Sequence, residues 1–412
     1  MVAILLTALL TGVTGGRDMP MTHLLGRHEI DTDLDSIAGY LTGKRVLVTG
    51  AGGSIGSELC REIHRYAPAE LMILDRDESA LHALQLSLDG RASLDDRSVI
   101  LADLRDAVTI RAIFQARRPQ VVFHAAALKH LPMLERFPGE AVKTNVFGTL
   151  AVLEAATGVE RFVCISSDKA ANPCSVLGYT KRITERLTAH TAATSKGSFL
   201  SVRFGNVLGS RGSVLTTFQA QIAAGGPLVV THRDVTRYIM TTREAVHLVI
   251  QAAAIGRRGE ALVLQMGDPV RIADVARRMA QLSPVPIDIE YCGLRPGEKL
   301  HEDLFGTGEI DLRPVHPMIS HVRVPPLDPA EVRLLDSNCR PDVLLSQLAA
   351  LCQSSANPEM VGSVVPDLCS WPSPPGRASL ATAGCEAPGE SPRASASSRG
   401  HRQGEDRTGE HP

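Results

Sequence analysis

The chain has 412 residues, of which 44% are apolar and 21% charged, as is ordinary for a globular protein. Its formal net charge is −2 and its Lys and Arg residues are scattered, so nothing indicates a nucleic-acid-binding surface. Eight cysteines without a CxxC pair, and no other metal-ligand spacing, argue against a disulfide frame or a metal site. They favour a cytoplasmic protein with reduced thiols.

In chain order, residues 1–43 form a lead-in that begins with an apolar run at 3–13. The run is shorter than the ~20 residues of a membrane-spanning helix, and it lacks the preceding Lys or Arg that a signal peptide requires. We therefore expect no membrane span in this chain. From about residue 353 onward Ser, Pro, Gly and Ala dominate, and residues 353–412 are predicted to be a disordered tail.

Between these ends, short runs rich in β-branched residues alternate with helical patterns, such as those at 57–66 and 141–156. This alternation predicts an α/β fold of the Rossmann type, with a doubly wound parallel sheet. The predicted strands cover residues 45–49, 70–75, 98–103, 121–124, 161–166, 199–203 and 261–266.

A glycine-rich loop follows the first predicted strand directly and opens a helix. In this context the spacing predicts a dinucleotide-binding loop. Gly50 permits the tight turn, Gly53 lets the backbone approach the pyrophosphate, and Gly56 lets the helix pack closely on the strand. Ser54 and Ile55 lie at the helix N-terminus, whose free N–H groups favour phosphates. We therefore expect NAD or NADP as cofactor.

Residues at the ends of the next strands predict the rest of the cofactor site. Asp75 ends the second strand, where a carboxylate would bind a ribose hydroxyl, but the neighbouring Arg76 would neutralise a 2′-phosphate. The choice between NAD and NADP therefore stays open. Asp103 and Leu104 end the third strand, where Asp103 would face the adenine ring or else cap the next helix. Small side chains that leave room for a flat dinucleotide follow the fourth strand at Ala125, Ala126 and Ala127.

These patterns divide the middle of the chain into two parts. Residues 44–205, with 241–267 returning to the sheet, are expected to form the NAD(P)-binding Rossmann domain. Residues 206–240 and 268–325 have a less regular pattern and are predicted to form a smaller substrate-binding lobe. Such a lobe would lie over the carboxyl ends of the strands, where ligands bind in these sheets.

The fifth strand ends in the sequence SSDK at 166–169, and after a turn the chain reads LGYTK at 177–181. Short-chain dehydrogenases carry a Tyr four residues before their active Lys, a spacing that places both on one helix face. Leu177 occupies that position here. Tyr179 is two residues from Lys181, about 200° around a helix, and is poorly placed to replace the missing phenol. The chemistry must depend on other groups.

Taken together, these motifs resemble the extended short-chain dehydrogenase/reductase superfamily. More narrowly, the chain is similar to the nucleotide-sugar 4,6-dehydratases of the capsule and polysaccharide biosynthesis family. The similar stretches cover roughly residues 22–325 in the family's order, and they read VLVTGAGGSIGSELCR, HAAALKHLPMLE, SSDKAANPCSVLGYTKR, SVRFGNVLGSRGSV, VTRYIMTTREA and GLRPGEKLHEDL.

The resemblance implies a reaction on a UDP-N-acetylhexosamine, with UDP-N-acetylglucosamine expected. NAD(P)⁺ would take hydride from C4, and the resulting 4-keto group would acidify the C5 proton. Water would then leave across C5–C6, and the hydride would return to C6. The product would be a UDP-4-keto-6-deoxy sugar, with the oxidised cofactor regenerated in each turnover.

By the same resemblance, the residues after the fifth strand divide the chemistry among them. Lys169 would remove the C5 proton, which requires a neutral amine, and burial beside the nicotinamide and Lys181 is expected to lower its pKa. Asp168 would protonate the leaving C6 hydroxyl. Ser167 would donate a hydrogen bond to the C4 oxygen, and Lys181 would bind the nicotinamide ribose.

The resemblance also implies the substrate contacts. Asn206 would contact the diphosphate, Arg237 and Arg295 would bind the phosphates or the uridine, and Glu298 would bind the nucleotide end. Two further residues belong to the cofactor side of the predicted site. These are Lys129, expected near the cofactor or sugar, and Asn145, expected to support the active-site loop.

Two other functions remain open at this stage. A UDP-sugar C4 epimerase shares hydride removal at C4, but it depends on the Tyr that Leu177 replaces and needs neither Asp168 nor Lys169. A non-catalytic dinucleotide-binding subunit would suit the lost Tyr but not the retained Asp-Lys pair. Long family members carry membrane helices and a further domain, so this chain resembles their catalytic part alone. We expect it to form a homo-oligomer.

Overall fold

A computed structural model describes residues 38–91 and 95–353 of the chain. The apolar run at 3–13 and the tail predicted beyond residue 353 lie outside the described residues. Among those described, no helix combines the length and the apolar character that crossing a membrane requires.

One large sheet organises the described residues. Eight strands form it in the order β14-β11-β6-β5-β4-β1-β2-β3, and all neighbours run parallel except β11 and β14. In chain order the strands are β1 (Arg45–Thr49), β2 (Glu70–Asp75), β3 (Val99–Leu101), β4 (Val121–His124), β5 (Arg161–Ile165), β6 (Ser198–Arg203), β7 (Asn206–Val207), β8 (Leu228–Val230), β9 (Thr236–Arg237), β10 (Ile239–Met240), β11 (Glu260–Leu264), β12 (Val270–Arg271), β13 (Ile289–Tyr291) and β14 (Ile319–Arg323).

Helices connect most of these strands. A π-helix covers Val142–Phe147, and 3₁₀ helices cover Ala38–Tyr40 and Asp168–Ala170. The α-helices are α1 (Ser54–His64), α2 (Glu78–Asp89), α3 (Ala107–Arg117), α4 (Leu131–Arg136), α5 (Pro138–Ala141), α6 (Gly148–Ala155), α7 (Val176–Thr194), α8 (Val214–Ala223), α9 (Thr242–Ile255), α10 (Ile272–Gln281), α11 (Pro329–Val332) and α12 (Pro341–Gln353).

This arrangement confirms the predicted Rossmann-type α/β fold. The central strands are buried at nearly every residue because helices cover both faces of the sheet. Helices α1 and α9 pack in one apolar cluster, and α3, α6 and α7 pack in the other. β1, β2 and β4 have the predicted bounds, whereas the helix predicted over 141–156 is interrupted by the π-helix.

Strand β14 corrects part of the predicted lobe at 268–325. It pairs antiparallel with β11 at the edge of the large sheet, with Val322 opposite Ala261. Its sequence, ISHVR, carries a histidine at a buried position, which weakens the strand signal. His321 is accommodated because its Nδ1 lies 2.7 Å from a Glu260 carboxylate oxygen on the neighbouring strand. Only the pairing of the two strands brings that partner into place.

A third apolar cluster lies outside the large sheet. It packs α8 against α10 over the short strands β8 and β13, with Phe218 and Met279 among its buried residues. This cluster gives the region after β6 a core of its own. The strands β7 and β10 pair beside it and carry the chain back towards the sheet.

A buried arginine attaches the last described helix to the sheet domain. Arg186 of α7 is 1% exposed, and its guanidinium donates to the carbonyls of Pro325 and Pro326, each at 3.2 Å, and of Leu351. Leu351 lies in the last turn of α12, whose final carbonyls have no partner within the helix. The side chain therefore satisfies a buried helix end and two partly buried loop carbonyls.

We expect Arg186→Ala to lower the free energy of unfolding by about 3 kcal/mol, because buried carbonyls lose their donor. Urea denaturation followed by circular dichroism would measure the change. Arg243→Ala, at an exposed position on α9, is the matched control and should change stability by less than about 0.5 kcal/mol. Equal stability of the two variants would contradict this account of α12.

Candidate active site

The glycine loop between β1 and α1 lies where the strand order reverses. The chain runs from β1 outward through β2 and β3, then returns to β4 on the other side, so a crevice opens between these strands. Gly50 has a φ of +68°, and a Cβ there would stand 2.5 Å from the Cα of Ala126. At Gly56 a Cβ would meet the Gly50 carbonyl. The predicted small residues thus let the loop, α1 and β4 approach closely.

The first turn of α1 has the features of an anion site. Gly53 precedes Ser54 and caps the helix without a side-chain hydrogen bond. The first N–H groups of a helix have no partner within it, and they carry the positive end of its dipole. The missing side chain at Gly53 leaves the loop backbone open to a ligand, which is the shape that a pyrophosphate requires.

Asp75 at the end of β2 is tied to this loop. Its carboxylate accepts hydrogen bonds from the backbone N–H groups of Gly52 at 2.9 Å, Arg76 at 2.7 Å and Asp77 at 3.1 Å. These bonds hold the carboxylate beside the glycine loop. The side chain of Arg76 is exposed and lies 3.9 Å from Asp103.

After the end of β3, Asp103 forms ion pairs whereas Leu104 is buried. Asp103 pairs with Arg105, whose Nη2 lies 2.6 Å from Oδ2, and this hydrogen bond lowers the pKa of the carboxyl. The alternative of a helix cap is wrong for Asp103, because Asp106 caps α3. Leu104 is buried and packs against Gly148 of α6.

The Asn145 side chain fixes the loop after β4 through hydrogen bonds to its backbone. The run Ala125–Ala127 is half-buried, and the next residue, Leu128, donates its N–H to Asn145 Oδ1 at 2.8 Å and accepts from Asn145 Nδ2 at 3.0 Å. Asn145 also reaches Thr180 Oγ1 of α7 at 3.2 Å. It is 1% exposed and lies in the π-helix, a distortion that is frequent at functional sites. Its contacts are with the loop and α7.

Four polar side chains meet where β5 ends. Lys169 Nζ lies 2.9 Å from Asp168 Oδ1 and 3.3 Å from Asn206 Oδ1 of β7. Ser167 caps the 3₁₀ helix and donates its hydroxyl to the same Asp168 oxygen at 2.8 Å. Asp168 is fully buried, and within the part of the chain that the structure describes its Oδ2 has no hydrogen-bond partner.

Glu302 is a fifth member of this group that sequence reasoning missed. Its Oε1 lies 3.6 Å from Lys169 Nζ, and the side chain is 3% exposed. It belongs to a segment, residues 298–309, that we call the strap because it folds over the 3₁₀ helix. Lys299 donates to the Ala171 carbonyl at 3.1 Å, and Thr307 donates its N–H to Asn172 Oδ1 at 2.7 Å. No local pattern separates buried Glu302 from its exposed neighbour Asp303.

The expectation of a lowered pKa for Lys169 is wrong for the site as it stands. Burial alone would lower the pKa, but the facing carboxylates of Asp168 and Glu302 raise it more than burial and the nearby cation Arg237 lower it. Lys181 points elsewhere, donating to the Ile165 carbonyl at 2.8 Å, and burial lowers its own pKa. Lys169 therefore holds its proton firmly before any ligand binds.

Helix α7 places Lys181 at the end of β5, but it places no tyrosine side chain there. Leu177, where many short-chain dehydrogenases have Tyr, is buried in an apolar cluster. Tyr179 packs against the same cluster, to which α12 contributes, and its carbonyl contacts Cys352. The poor placement expected for Tyr179 agrees with these contacts.

Two predicted substrate residues pair with each other. Arg237 is 6% exposed, and its Nη2 lies 2.8 Å from Glu298 Oε1. Glu298 also accepts from Thr231 Oγ1 at 3.0 Å and from the Arg295 N–H at 3.2 Å. The Arg295 side chain is exposed. The structure thus brings Asn206 and Arg237 close to Lys169 and pairs Glu298 with Arg237, but it leaves Arg295 at the surface.

A buried ion network anchors the strap behind the site. Arg203 of β6 pairs with Glu185 of α7 at 2.7 Å and with Glu309 of the strap at 2.6 Å. Glu185 also accepts from Ser166 Oγ at 2.6 Å. Burial opposes the charge on Arg203, but the two carboxylates raise its pKa. Within residues 38–91 and 95–353, including this network, no cluster of His, Cys, Asp and Glu is arranged to bind a metal ion.

Known proteins are similar to this chain in sequence and in structure. The probable polysaccharide biosynthesis protein EpsC of Bacillus subtilis (strain 168) is 45% identical over 312 residues, which cover 74% of this chain and 52% of EpsC. This chain thus spans about half the length of that curated relative. The X-ray structure of Pen from Bacillus thuringiensis superposes with a TM-score of 0.63 at 32% identity, covering 70% of this chain and 89% of Pen.

Two more distant relatives are named for different reactions. An inverting UDP-N-acetylglucosamine 4,6-dehydratase of Campylobacter jejuni (serotype O:23/36, strain 81-176) is 31% identical, over 66% of this chain and 80% of its own length. A UDP-glucose 4-epimerase of Rickettsia canadensis (strain McKiel) is also 31% identical, over 65% and 79% respectively. Residues 46–324 match the family described as polysaccharide biosynthesis protein. Because this match covers more than half of its length, the chain belongs to the polysaccharide biosynthesis protein family.

Proposed function

We propose that this chain is a nucleotide-sugar 4,6-dehydratase that converts UDP-N-acetylglucosamine, with NAD or NADP, into a UDP-4-keto-6-deoxy-hexosamine. The observation that carries the proposal is the buried pair of Asp168 and Lys169, hydrogen-bonded at 2.9 Å at the end of β5. Elimination of water needs an acid and a base on one sugar ring, which this pair supplies. The relative from Campylobacter jejuni supports the same reaction.

The glycine loop fits a nicotinamide dinucleotide. Backbone N–H groups at the start of α1 would bind the pyrophosphate, and the Asp75 carboxylate beside Gly52 would bind a ribose hydroxyl. A Cβ at Gly50 would collide with the Ala126 backbone, and one at Gly56 would collide with the Gly50 carbonyl, so the loop keeps this shape only with glycine at both positions. When bound, the nicotinamide supplies a hydride acceptor for C4 and a hydride donor for C6.

A single proton shift would prepare the Asp168–Lys169 pair for elimination. As an ion pair, Lys169 carries the proton and Asp168 accepts a hydrogen bond from it. Transfer of that proton to Asp168 makes the amine a base and the carboxyl an acid at the same moment. Substrate binding would favour the neutral pair, because it displaces the water that still reaches Lys169 and so removes solvation that stabilises the ammonium.

Both proton transfers of the elimination then occur within this pair. The neutral Lys169 amine takes the C5 proton, and the C5–H electrons form the C5–C6 double bond as the C6–O bond breaks. Asp168 gives its proton to the leaving oxygen, which departs as water, and the ion pair is restored. When hydride returns to C6, the ammonium of Lys169 returns a proton to C5. Asn206 and Glu302 hold the amine in place throughout.

The substrate's charged end would lie over the arginines of the lobe. The Arg237 guanidinium donates through Nη2 to Glu298 and through Nη1 to the Thr236 carbonyl, which fixes its direction. The buried position of Arg237 favours a phosphate contact over a surface role. Exposed Arg295 would reach the nucleotide end. Ser167 would donate to the C4 oxygen, and Lys181 would bind the nicotinamide ribose.

A C4 epimerase is the second candidate, since a relative of that name has the same 31% identity. It is disfavoured by Leu177, which is buried and apolar where that reaction needs a phenol. A non-catalytic dinucleotide-binding subunit is disfavoured by the acid–base pair, because an unused buried charge pair has a large desolvation penalty.

We expect purified protein given UDP-N-acetylglucosamine and NAD⁺ or NADP⁺ to yield a product lighter by one water. Mass spectrometry of the nucleotide sugar would measure it. An isomer of unchanged mass would support the epimerase, and an unchanged substrate would support the non-catalytic subunit. Either of these results would contradict the proposal.

We expect Lys169→Ala to reduce dehydration by about 10²–10⁴-fold, because the C5 proton has no acceptor. Cofactor binding, followed by titration calorimetry, should be unchanged. Lys196→Ala removes an exposed lysine after α7 and is the matched control, with wild-type turnover expected. Wild-type turnover in Lys169→Ala would refute the base assignment.

Asp168→Asn separates the two chemical steps. Oxidation at C4 should still occur, so reduced nicotinamide should accumulate, whereas loss of water should fall by about 10²–10⁴-fold for want of an acid. Near-ultraviolet absorbance of the nicotinamide and mass spectrometry would measure the two steps on one sample. Water loss at the wild-type rate would contradict the role given to Asp168.

A further inference from the structure

A buried histidine that has no part in the proposed proton transfers lies beneath the crevice. His124 ends β4 and pairs in register with Thr49, the last residue of β1. Its Nδ1 lies 2.8 Å from Thr49 Oγ1, and its Nε2 lies 2.8 Å from Thr149 Oγ1 of α6. The ring also stacks on Phe162 of β5, with centroids 6.0 Å apart. His124 therefore joins the strand that leads into the glycine loop to a helix on one face of the sheet.

The contacts of Thr149 determine which ring nitrogen of His124 carries the hydrogen. A hydroxyl has one hydrogen, and Thr149 Oγ1 lies 2.5 Å from the Asn145 carbonyl oxygen, which can only accept. Thr149 therefore donates to that carbonyl and accepts from His124, which places the ring hydrogen on Nε2. In a neutral imidazole Nδ1 is then an acceptor, so Thr49 donates to it. All three hydrogen bonds run in one direction.

The surroundings of His124 favour the neutral ring. Burial, and after it the charge of Lys181, lower the pKa of His124 to about 3. A protonated ring would carry a hydrogen on Nδ1 as well, and Thr49 would then face a donor instead of an acceptor. The chain of hydrogen bonds thus requires the neutral form that burial imposes.

The same chain continues to the helix that carries Lys181. Asn145 donates from Nδ2 to the Leu128 carbonyl at 3.0 Å and to Thr180 Oγ1 at 3.2 Å. Thr180 immediately precedes Lys181 and donates to the Leu177 carbonyl at 2.9 Å. Because these groups are buried, water cannot replace a hydrogen bond that is lost. The polar residues of the chain, each at most 2% exposed, are Thr49, His124, Thr149, Asn145 and Thr180.

We propose that His124 is a positioning residue for hydride transfer, whose neutral imidazole holds the end of β1 at a fixed distance from α7. The glycine loop begins where β1 ends, and α7 carries Lys181, so the chain of hydrogen bonds connects the two parts of the proposed dinucleotide site. His124 acts through Thr49 and Asn145 and touches neither cofactor nor sugar. The inference rests on the proposed function, whose first step is removal of hydride from C4.

The test compares Asp168→Asn, in which reduced nicotinamide should accumulate, with the same protein carrying His124→Phe. Stopped-flow absorbance follows nicotinamide reduction after UDP-N-acetylglucosamine is added. Phenylalanine keeps a ring against Phe162 but forms neither hydrogen bond. A displacement of about 1 Å between reacting groups can cost about 100-fold in rate, so we expect reduction to slow by about 10–100-fold.

Titration calorimetry separates positioning from folding. It gives the affinity for NAD⁺ and NADP⁺ and the number of sites that bind them, and so it counts the folded molecules. We expect the affinity to change much less than the rate, because the dinucleotide has many other contacts. A merely structural role would lower the number of binding sites and leave the rate per bound cofactor unchanged.

Two smaller changes at position 124 retain one hydrogen bond each. His124→Asn keeps an acceptor within reach of Thr49, and His124→Gln keeps an N–H donor within reach of Thr149. We expect reduction in both to be faster than in His124→Phe. His64→Phe, at an exposed position in the last turn of α1, is the matched control and should keep the reference rate.

The direction of the chain can be measured without any ligand. In ¹⁵N NMR of wild-type protein labelled at histidine, the His124 signals are those that His124→Gln lacks. We expect them to show the neutral Nε2–H tautomer and to remain unchanged down to about pH 5, because burial and Lys181 lower the pKa. A hydrogen on Nδ1, or a charged ring at that pH, would overturn the assignment.

A rate of reduction in His124→Phe equal to the reference would overturn the positioning role and leave the proposed function standing. A loss confined to cofactor affinity, with the rate per bound cofactor unchanged, would also overturn it. If the reference protein binds the cofactor but does not reduce it when the sugar nucleotide is added, both this inference and the proposed function fail.

Discussion

The buried hydrogen bond between Lys169 and Asp168 is the interaction on which the candidate site depends. An ammonium and a carboxylate that leave water lose a large solvation energy, so neighbours must hold them in good geometry. Three elements do this: β5 delivers the pair at its carboxyl end, β7 brings Asn206, and the strap brings Glu302. Any shift of one element would leave a buried charge without its partner.

The strap makes the region after β6 part of the site. It is attached at both ends, through Lys299 to the turn after the 3₁₀ helix and through Glu309 to Arg203 in the sheet. A network of buried charges is costly to break when one partner moves, since the other is left uncompensated. The strap can therefore hold Glu302 against Lys169 with little freedom.

The glycine loop, on the opposite side of the crevice, is held by fewer contacts than the strap. Between the glycine loop and the loop at residues 209–213 the contacts are few and polar, and they come from Arg211, which is itself exposed. Weakly held segments open more readily than buried ones.

Much of this fold could be predicted from local pattern. Apolar strand runs alternating with helices determine a parallel sheet covered on both faces, and β1, β2 and β4 were predicted with their observed bounds. The glycine spacing after β1 determines a tight turn into a helix, because no other residue adopts that backbone so readily. The short edge strand β14 was missed because its buried His321 needs Glu260 on another strand.

The sequence by itself determined the residue types of the site: an adjacent acid and amine after the fifth strand, and an apolar residue in place of a phenol. Only the tertiary structure decided which charges surround them. Glu302 was not distinguished from surface-type residues, because its burial and its ion pair with Lys169 depend on segments more than 100 residues apart in the chain. For the same reason the pKa of Lys169 rises rather than falls, since the facing carboxylates outweigh the effect of burial.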